Sequence, residues 1–303
     1  MTFEKRLTAA AAKIDALLAG VLATEALEAA GVPDRVAAAM RHAVMGGGKR
    51  MRPYLVLETA GVVGAAVDRA VPAALALELV HCYSLVHDDL PAMDNDTLRR
   101  GQPTVWTAFD EWTAILAGDA LLTLAFEHLA EAPAAGLDAR TRIKLVSALA
   151  RAAGGAGMVG GQGLDLEADK LGLPAHPDAA HILRLQGMKT GRLFEYACYA
   201  GAVSAGADSA VLQALTRFGA KLGAAFQLAD DLLDVEGDPE TVGKATAKDA
   251  AAGKATLIGL IGLDAARAEL DAIEAEALGE IAMLGERADV LRETLHFACA
   301  RRK

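Results

Sequence analysis

Apolar residues recur every three or four positions along most of the chain, as in RVAAAMRHAV (35–44), EWTAILAGDALLTLAFEHLA (111–130), RTRIKLVSALARAA (140–153), VLQALTRFGAKLGAAFQLADDLLDV (211–235) and ARAELDAIEAEALGEIAMLG (266–285). That spacing predicts amphipathic helices, each turning one face to a core. The breaks between them are short: MGGGKRMRP, DLPAMDND, EAPAAGLD, KLGLPAHPD and EGDPETVG. None is long or low in complexity, so the pattern predicts a single helical domain over residues 1–303.

Two of these helices end in carboxylates. VHDDLPAMDND (86–96) follows the apolar run ALALELVHCYSLV, and DDLLD (230–234) follows FQLA. Pro91 has no N–H, and its ring collides with the carbonyl four residues back, so the first helix is expected to break near Leu90. EGDP stops the second. A helix C-terminus already carries partial negative charge, and a carboxylate there loses about 0.3–1 kcal/mol instead of gaining it. Carboxylates so crowded need a shared proton or a cation. Oxygen donors at this density suit Mg²⁺, which takes one or two carboxylates together with substrate phosphates. A solvated helix end paired with Arg99 and Arg100 explains one such cluster as well, but two copies favour the metal. An EF-hand is ruled out, because Leu98 and Arg100 stand where that loop needs ligands.

Composition narrows the class. Hydrophobic residues are 53% of the chain but aromatics only 4%, and Ala and Leu favour helix over strand, so the fold is expected to be all-α. A net charge of −10 argues against nucleic acid, which binds to basic surface. The apolar runs are interrupted by Pro, Glu or His and are expected to fall short of a membrane span, and MTFEKRLTAAAAKIDALLAG is unlike a signal peptide. Cys82, Cys198 and Cys299 lie far apart without CxxC spacing, as unpaired thiols in a cytoplasmic protein would.

The basic residues have their own pattern. MGGGKRMRP sets Lys49, Arg50 and Arg52 just before Pro53, and Pro favours a first helical position. A helix N-terminus with three cations suits an anion. This is not a Walker A loop, since Ala43 and Arg50 stand where Gly and Ser or Thr are required. Arg99 and Arg100 follow the first acidic cluster, while Lys189, Lys244 and Lys254 lie in Gly-flanked stretches. GAGMVG (155–160) fits a dinucleotide fingerprint but follows a helix, not a strand. KTG (189–191) lacks the other β-lactamase motifs. His87-Asp88, with His81, suits an HD-type phosphohydrolase but leaves DDLLD unexplained.

GGGKRMRP, LVHCYSLVHDDLPAMDNDTLRRG, GMVGGQGLDL, MKTGRLFEY, FQLADDLLDVEGD and GKATAKDAAAGKAT stand in the order and spacing of the trans-prenyltransferases. Over nearly its whole length the chain resembles that family, and within it the bacterial farnesyl diphosphate synthases, whose first aspartate motif carries two extra residues as DDLPAMD does. Gly163 and Ala229 depart from the usual Ala and Gln.

The resemblance implies an isoprenoid-synthase helical bundle around a central cavity, commonly homodimeric. It implies three Mg²⁺ ions, with Asp88 and Asp94 holding two, Asp230 a third, and Asp89 and Asp234 in support. Arg99, Lys189 and Lys244 would clamp the allylic diphosphate (dimethylallyl or geranyl), with Lys254 nearby. Gly48, Lys49, Arg52, His81 and Arg100 would hold isopentenyl diphosphate. Thr190 and Gln227 would point oxygen dipoles at an allylic cation. Tyr83 and Ser84, five and four residues before Asp88, would set product length, the aromatic at 83 favouring farnesyl over geranylgeranyl diphosphate. A geranylgeranyl synthase, an HD-type hydrolase and a non-catalytic partner subunit are the competing readings.

Overall fold

A computed structural model describes residues 2–133, 136–236 and 256–300. The described residues are helical apart from loops and one two-stranded hairpin, so the chain is all-α. It divides into two compact units, Met1–Leu57 with Ala66–Val146, and Glu58–Ala65 with Ser147–Lys303. Two of the three cuts, after Leu57 and after Val146, fall inside α4 (Met51–Val63) and α8 (Ala139–Ala153), and the third, after Ala65, falls in the short turn that follows α4, so no linker shows in the sequence.

The first unit is built on α5 (Val71–Asp88), whose residues from Pro72 to Val80 are all buried. Against it lies α7 (Glu111–Glu131), which starts where Asp110 accepts the Thr113 N–H at 2.8 Å. The buried stripe of α7 is Ala114, Ala117, Gly118, Leu121, Ala125 and Leu129, at helical spacing. Small residues here let the two helices approach closely. Each fully buried leucine, such as Leu77 or Leu121, contributes about 1.5–3 kcal/mol. Around this pair stand α1 (Phe3–Val21), α2 (Thr24–Ala29), α3 (Asp34–Met45) and the short α6 (Val105–Ala108).

The second unit centres on α11 (Arg192–Ala205) and the long α12 (Ser209–Glu236). Leu193, Phe194, Tyr196 and Ala197 of α11 and Ala214, Leu215, Phe218, Leu222 and Ala225 of α12 are buried, and the Phe194 and Phe226 rings meet with centroids 4.9 Å apart. Helix Leu263–Glu280 adds Leu270 and Ile273. Ahead of α11 come α9 (Met158–Leu171), α10 (Ala179–Gln186) and a π-helical turn, Gly187–Gly191.

Two sequence expectations are corrected, and one small element was not foreseen. Helix α4 begins at Met51, so Pro53 sits within its first turn, where a missing N–H costs nothing. Phe3–Ala29, Val67–Asp88 and Glu111–Glu131 are, by length and composition alone, long and apolar enough to cross a membrane. The polar residues expected to interrupt them do not break a helix: Glu78 of α5 is buried beneath Arg50, 2.6 Å away. Finally, Leu98–Arg99 pairs with Gln102–Pro103 as a small antiparallel hairpin. Its turn residues Arg100 and Gly101 have φ of 54° and 77°, the left-handed pair that such a tight turn demands.

Candidate active site

Helix α5 ends at Asp88, as Pro91 requires. The chain then folds back: the Leu90 N–H donates to the His87 carbonyl at 3.1 Å, the Asp94 N–H to the Asp88 carbonyl at 2.8 Å, and the Asn95 N–H to the Leu90 carbonyl at 3.1 Å. Asp88 and Asp94 are thereby gathered at one helix end. Asp89 takes another course. It is 3% exposed and accepts from the Arg99 Nε at 2.7 Å. Burial holds its carboxyl above the usual range, an effect that Arg99 only partly offsets. Arg99 also reaches Asp96, 3.6 Å away.

The hairpin carries Arg100 back over the glycine loop, where its guanidinium bonds the Gly47 carbonyl and lies where a Cβ on Gly48 would have to go. Arg52 Nη1 is 3.4 Å from His81 Nε2. His81 is held well below its ordinary pKa, first by burial and then by Arg52, Arg100, Arg50 and Arg99. It is a neutral imidazole among cations. The expected isopentenyl diphosphate residues Gly48, Arg52, His81 and Arg100 are thus brought together, with Lys49 exposed on the same loop. Arg50 is a correction. Expected as a third cation for an anion, it is 3% exposed and bonds Asp15 at 2.8 Å and Glu78 at 2.6 Å.

One turn below Asp88, the Ser84 hydroxyl returns to the His81 carbonyl at 2.8 Å. Tyr83 is buried, 5% exposed, and meets the His87 ring edge-on with centroids 5.8 Å apart. Its phenol is pushed up to about 12, first by burial and then by Asp88. His87 in turn lies 3.0 Å from the Ile115 carbonyl, packed over Gly118 where a Cβ would collide with the ring. Each histidine thus has one ring nitrogen engaged, His81 beside Arg52 and His87 beside the Ile115 carbonyl.

In the second unit the π-helical turn widens the helix at Lys189 and Thr190, a distortion that often marks function. Gly161 of α9 allows it, since a Cβ there would strike the Lys189 backbone. Lys189 Nζ pairs with Asp165 at 2.6 Å. Thr190 Oγ1 donates to Gln227 Oε1 at 2.9 Å, Gln227 Nε2 to Asp231 Oδ1 at 2.9 Å, and Gln186 Nε2 to Asp231 Oδ2 at 2.7 Å. These groups line one side of a cavity of about 440 Å³ whose other walls include Ala168, Pro174, Ile182 and Leu185. Asp230 is exposed and Asp234 half-buried on the same helix. Lys244 and Lys254 lie outside the described residues.

Asp165, Gln186 and Asp231 were given no role from the sequence. For Asp231 the signal was present, because Gln227 and Asp231 are four apart on one helix. Asp165 and Lys189 are 24 residues apart, and only folding joins them. Among the described residues no three acidic, histidine or cysteine side chains converge as a ready-made metal cage. Asp88 and Asp94 nonetheless fit Mg²⁺, which takes one or two carboxylates and completes its shell with water and phosphate.

Residues 33–289 match the sequence profile of the polyprenyl synthetases. The chain belongs to that family, whose members are generally Mg²⁺-dependent and act on prenyl diphosphates. It is 44% identical over 249 residues, 82% of this chain and 82% of the relative, to a farnesyl diphosphate synthase of Escherichia coli. To that of Geobacillus stearothermophilus it is 42% identical, over 78% of this chain and 79% of the relative. Among solved structures it resembles an FPP/GFPP synthase of Zymomonas mobilis (TM-score 0.84, 39% identity, 98% and 99% of the two chains). It also resembles a geranylgeranyl pyrophosphate synthetase of Pyrococcus horikoshii (TM-score 0.87, 28% identity, 99% and 98%).

Proposed function

We propose that this polyprenyl synthetase is a short-chain trans-prenyl diphosphate synthase, adding isopentenyl diphosphate to dimethylallyl and then geranyl diphosphate to give farnesyl diphosphate. The observation that carries it is the gathering of Arg52, 3.4 Å from His81, and of Arg100, bonded to the Gly47 carbonyl over Gly48, at the glycine loop. A chain of net charge −10 concentrates arginines there, which suits a diphosphate. Curated relatives named farnesyl diphosphate synthase, 42% and 44% identical, support the same reading.

Gly48, Lys49, Arg52, His81 and Arg100 hold isopentenyl diphosphate. For the allylic diphosphate the sequence motifs support Arg99 in the first unit and Lys189, with Lys244 and Lys254, in the second. Asp88 and Asp94, backed by Asp89, and Asp230, backed by Asp234, would hold three Mg²⁺ ions, which when bound neutralise charge on the departing diphosphate. Asp231 fixes the amide of Gln227 so that its Oε1 and the Thr190 hydroxyl keep their orientation, and preorganised oxygen dipoles stabilise positive charge at the allylic carbon. The double bond of isopentenyl diphosphate attacks that carbon, and a proton leaves to the released diphosphate, since no side chain among the described residues is placed as a dedicated base.

Residues 1–303 would act as one domain, in the cytoplasm, where free thiols such as the buried Cys82 and Cys198 stay reduced. The exposed Trp112, Ile115 and Leu116 on the outer face of α7 support a homodimer, because contiguous apolar surface marks an interface. A geranylgeranyl product is the second reading, favoured by the likeness to the Pyrococcus horikoshii enzyme. Incubation with labelled isopentenyl diphosphate and each allylic primer, followed by chromatography of the dephosphorylated product, tests both. A C15 alcohol is expected, C20 selects the second reading, and no condensation overturns both.

A further inference from the structure

The loop GGGKRMR places Lys49 and Arg52 where they can meet an anion, yet the residue between them with the strongest hydrogen-bonding fork faces the other way. Arg50 has φ of 48°, a left-handed conformation that side chains with a Cβ rarely adopt. Its guanidinium spends three N–H groups on three helices. Nε donates to Asp15 of α1 at 2.8 Å, Nη1 to Glu78 of α5 at 2.6 Å, and Nη2 to the Val44 carbonyl of α3 at 2.5 Å. The Arg50 carbonyl meanwhile accepts the first hydrogen bond of α4, from the Tyr54 N–H at 3.0 Å. One residue therefore ties the loop to three helices and starts the fourth.

We infer that Arg50 is a positioning residue for isopentenyl diphosphate binding, an inference that rests on the function proposed above. Its charge is answered by Glu78 and Asp15, so it adds little attraction for a ligand. Its contribution is geometric. With Arg50 and Met51 buried, Lys49 is exposed and Arg52 half-exposed, and Arg52 is held beside His81. Lysine cannot substitute, because a single ammonium on a flexible stem has no planar fork to span three acceptors in different directions.

The test compares wild type with Arg50→Lys, Arg50→Met and the double variant Arg50→Met with Glu78→Leu, measuring KM for isopentenyl diphosphate, KM for the allylic substrate and Tm. Both single variants are expected to raise the isopentenyl KM about tenfold or more, as loss of binding geometry does, while leaving the allylic KM within about twofold. The double variant removes the unpaired buried carboxylate, and is expected to recover Tm while the isopentenyl KM stays high. Recovery of both together, or an unchanged isopentenyl KM in Arg50→Met, overturns the inference. Should Arg50→Met fail to fold, Asp15→Asn weakens one arm of the fork at a part-exposed site. The same selective rise in isopentenyl KM is expected there, and equal rises for both substrates overturn the inference. A wild type that neither binds nor condenses isopentenyl diphosphate overturns the proposed function as well, which separates the two failures.

Discussion

The backbone N–H of Asp94 donates to the carbonyl of Asp88 at 2.8 Å, so two aspartates six positions apart share one end of α5. The hydrogen bond takes up one helix-terminal carbonyl that would otherwise lack an internal partner. Carboxylates beside a negative helix end repel one another and that end, so a shared proton or a cation stabilises them.

From that follows the first prediction. Asp88→Ala and Asp230→Ala each lower kcat by on the order of a hundredfold to a thousandfold or more, the scale of a lost electrostatic catalyst. Near-normal turnover of either variant at saturating Mg²⁺ contradicts the metal assignment.

The two diphosphates are separable by kinetics. Lys49→Ala and Arg52→Ala are expected to raise KM for isopentenyl diphosphate far more than KM for the allylic substrate, because they remove binding contacts without touching the ionising bond. Equal increases in both KM values count against assigning the loop to isopentenyl diphosphate.

Asp231 accepts from the amides of Gln186 and Gln227. Asp231→Asn puts an amide N–H against one of those donors, and an unmet buried hydrogen bond costs about 1–3 kcal/mol. A fall in kcat of about tenfold to a hundredfold is expected, with isopentenyl KM unchanged. A KM effect alone would place Asp231 outside the allylic half of the reaction.

His81 is held below its ordinary value of 6.5 by burial and the nearby arginines. In the unfolded chain the ring takes up a proton as pH falls through about 6.5, while the folded ring stays neutral, so the unfolded state binds more protons and stability falls with pH. His81→Gln removes that term. The loss of Tm between neutral pH and the acid side of 6.5 is expected to be smaller in the variant than in wild type, as thermal melts across that range will show.

We propose that product length is set by Tyr83 and Ser84, which lie about one turn, or ~5.4 Å, below Asp88. Tyr83→Ala is expected to shift products from C15 toward C20, and Ser84→Phe toward C10, under matched substrate ratios. An unchanged product distribution removes these residues as the floor. Because the Tyr83 ring leans on His87, which packs over Gly118, the floor would be braced from α7.

What the sequence decided by itself is what acts locally. Period and composition determined the helices, Pro91 determined where α5 stops, and Gln227 and Asp231, four apart, determined a shared helix face. The two aspartate clusters were legible because their carboxylates are neighbours in the chain. The hairpin was missed because each strand has only two residues, too few to show alternation, although Arg100-Gly101 carried the turn.

Tertiary structure decided which cations of the glycine loop stay exposed. Lys49, Arg50 and Arg52 read alike in sequence, and only the packing of Asp15, Glu78 and the Val44 carbonyl around one point turned Arg50 inward. Likewise Asp165 met Lys189 from 24 residues away, and Arg100 met Gly47 from 53. Such pairings depend on how whole helices pack, through many weak contacts summed over distant residues, and no local pattern encodes that sum.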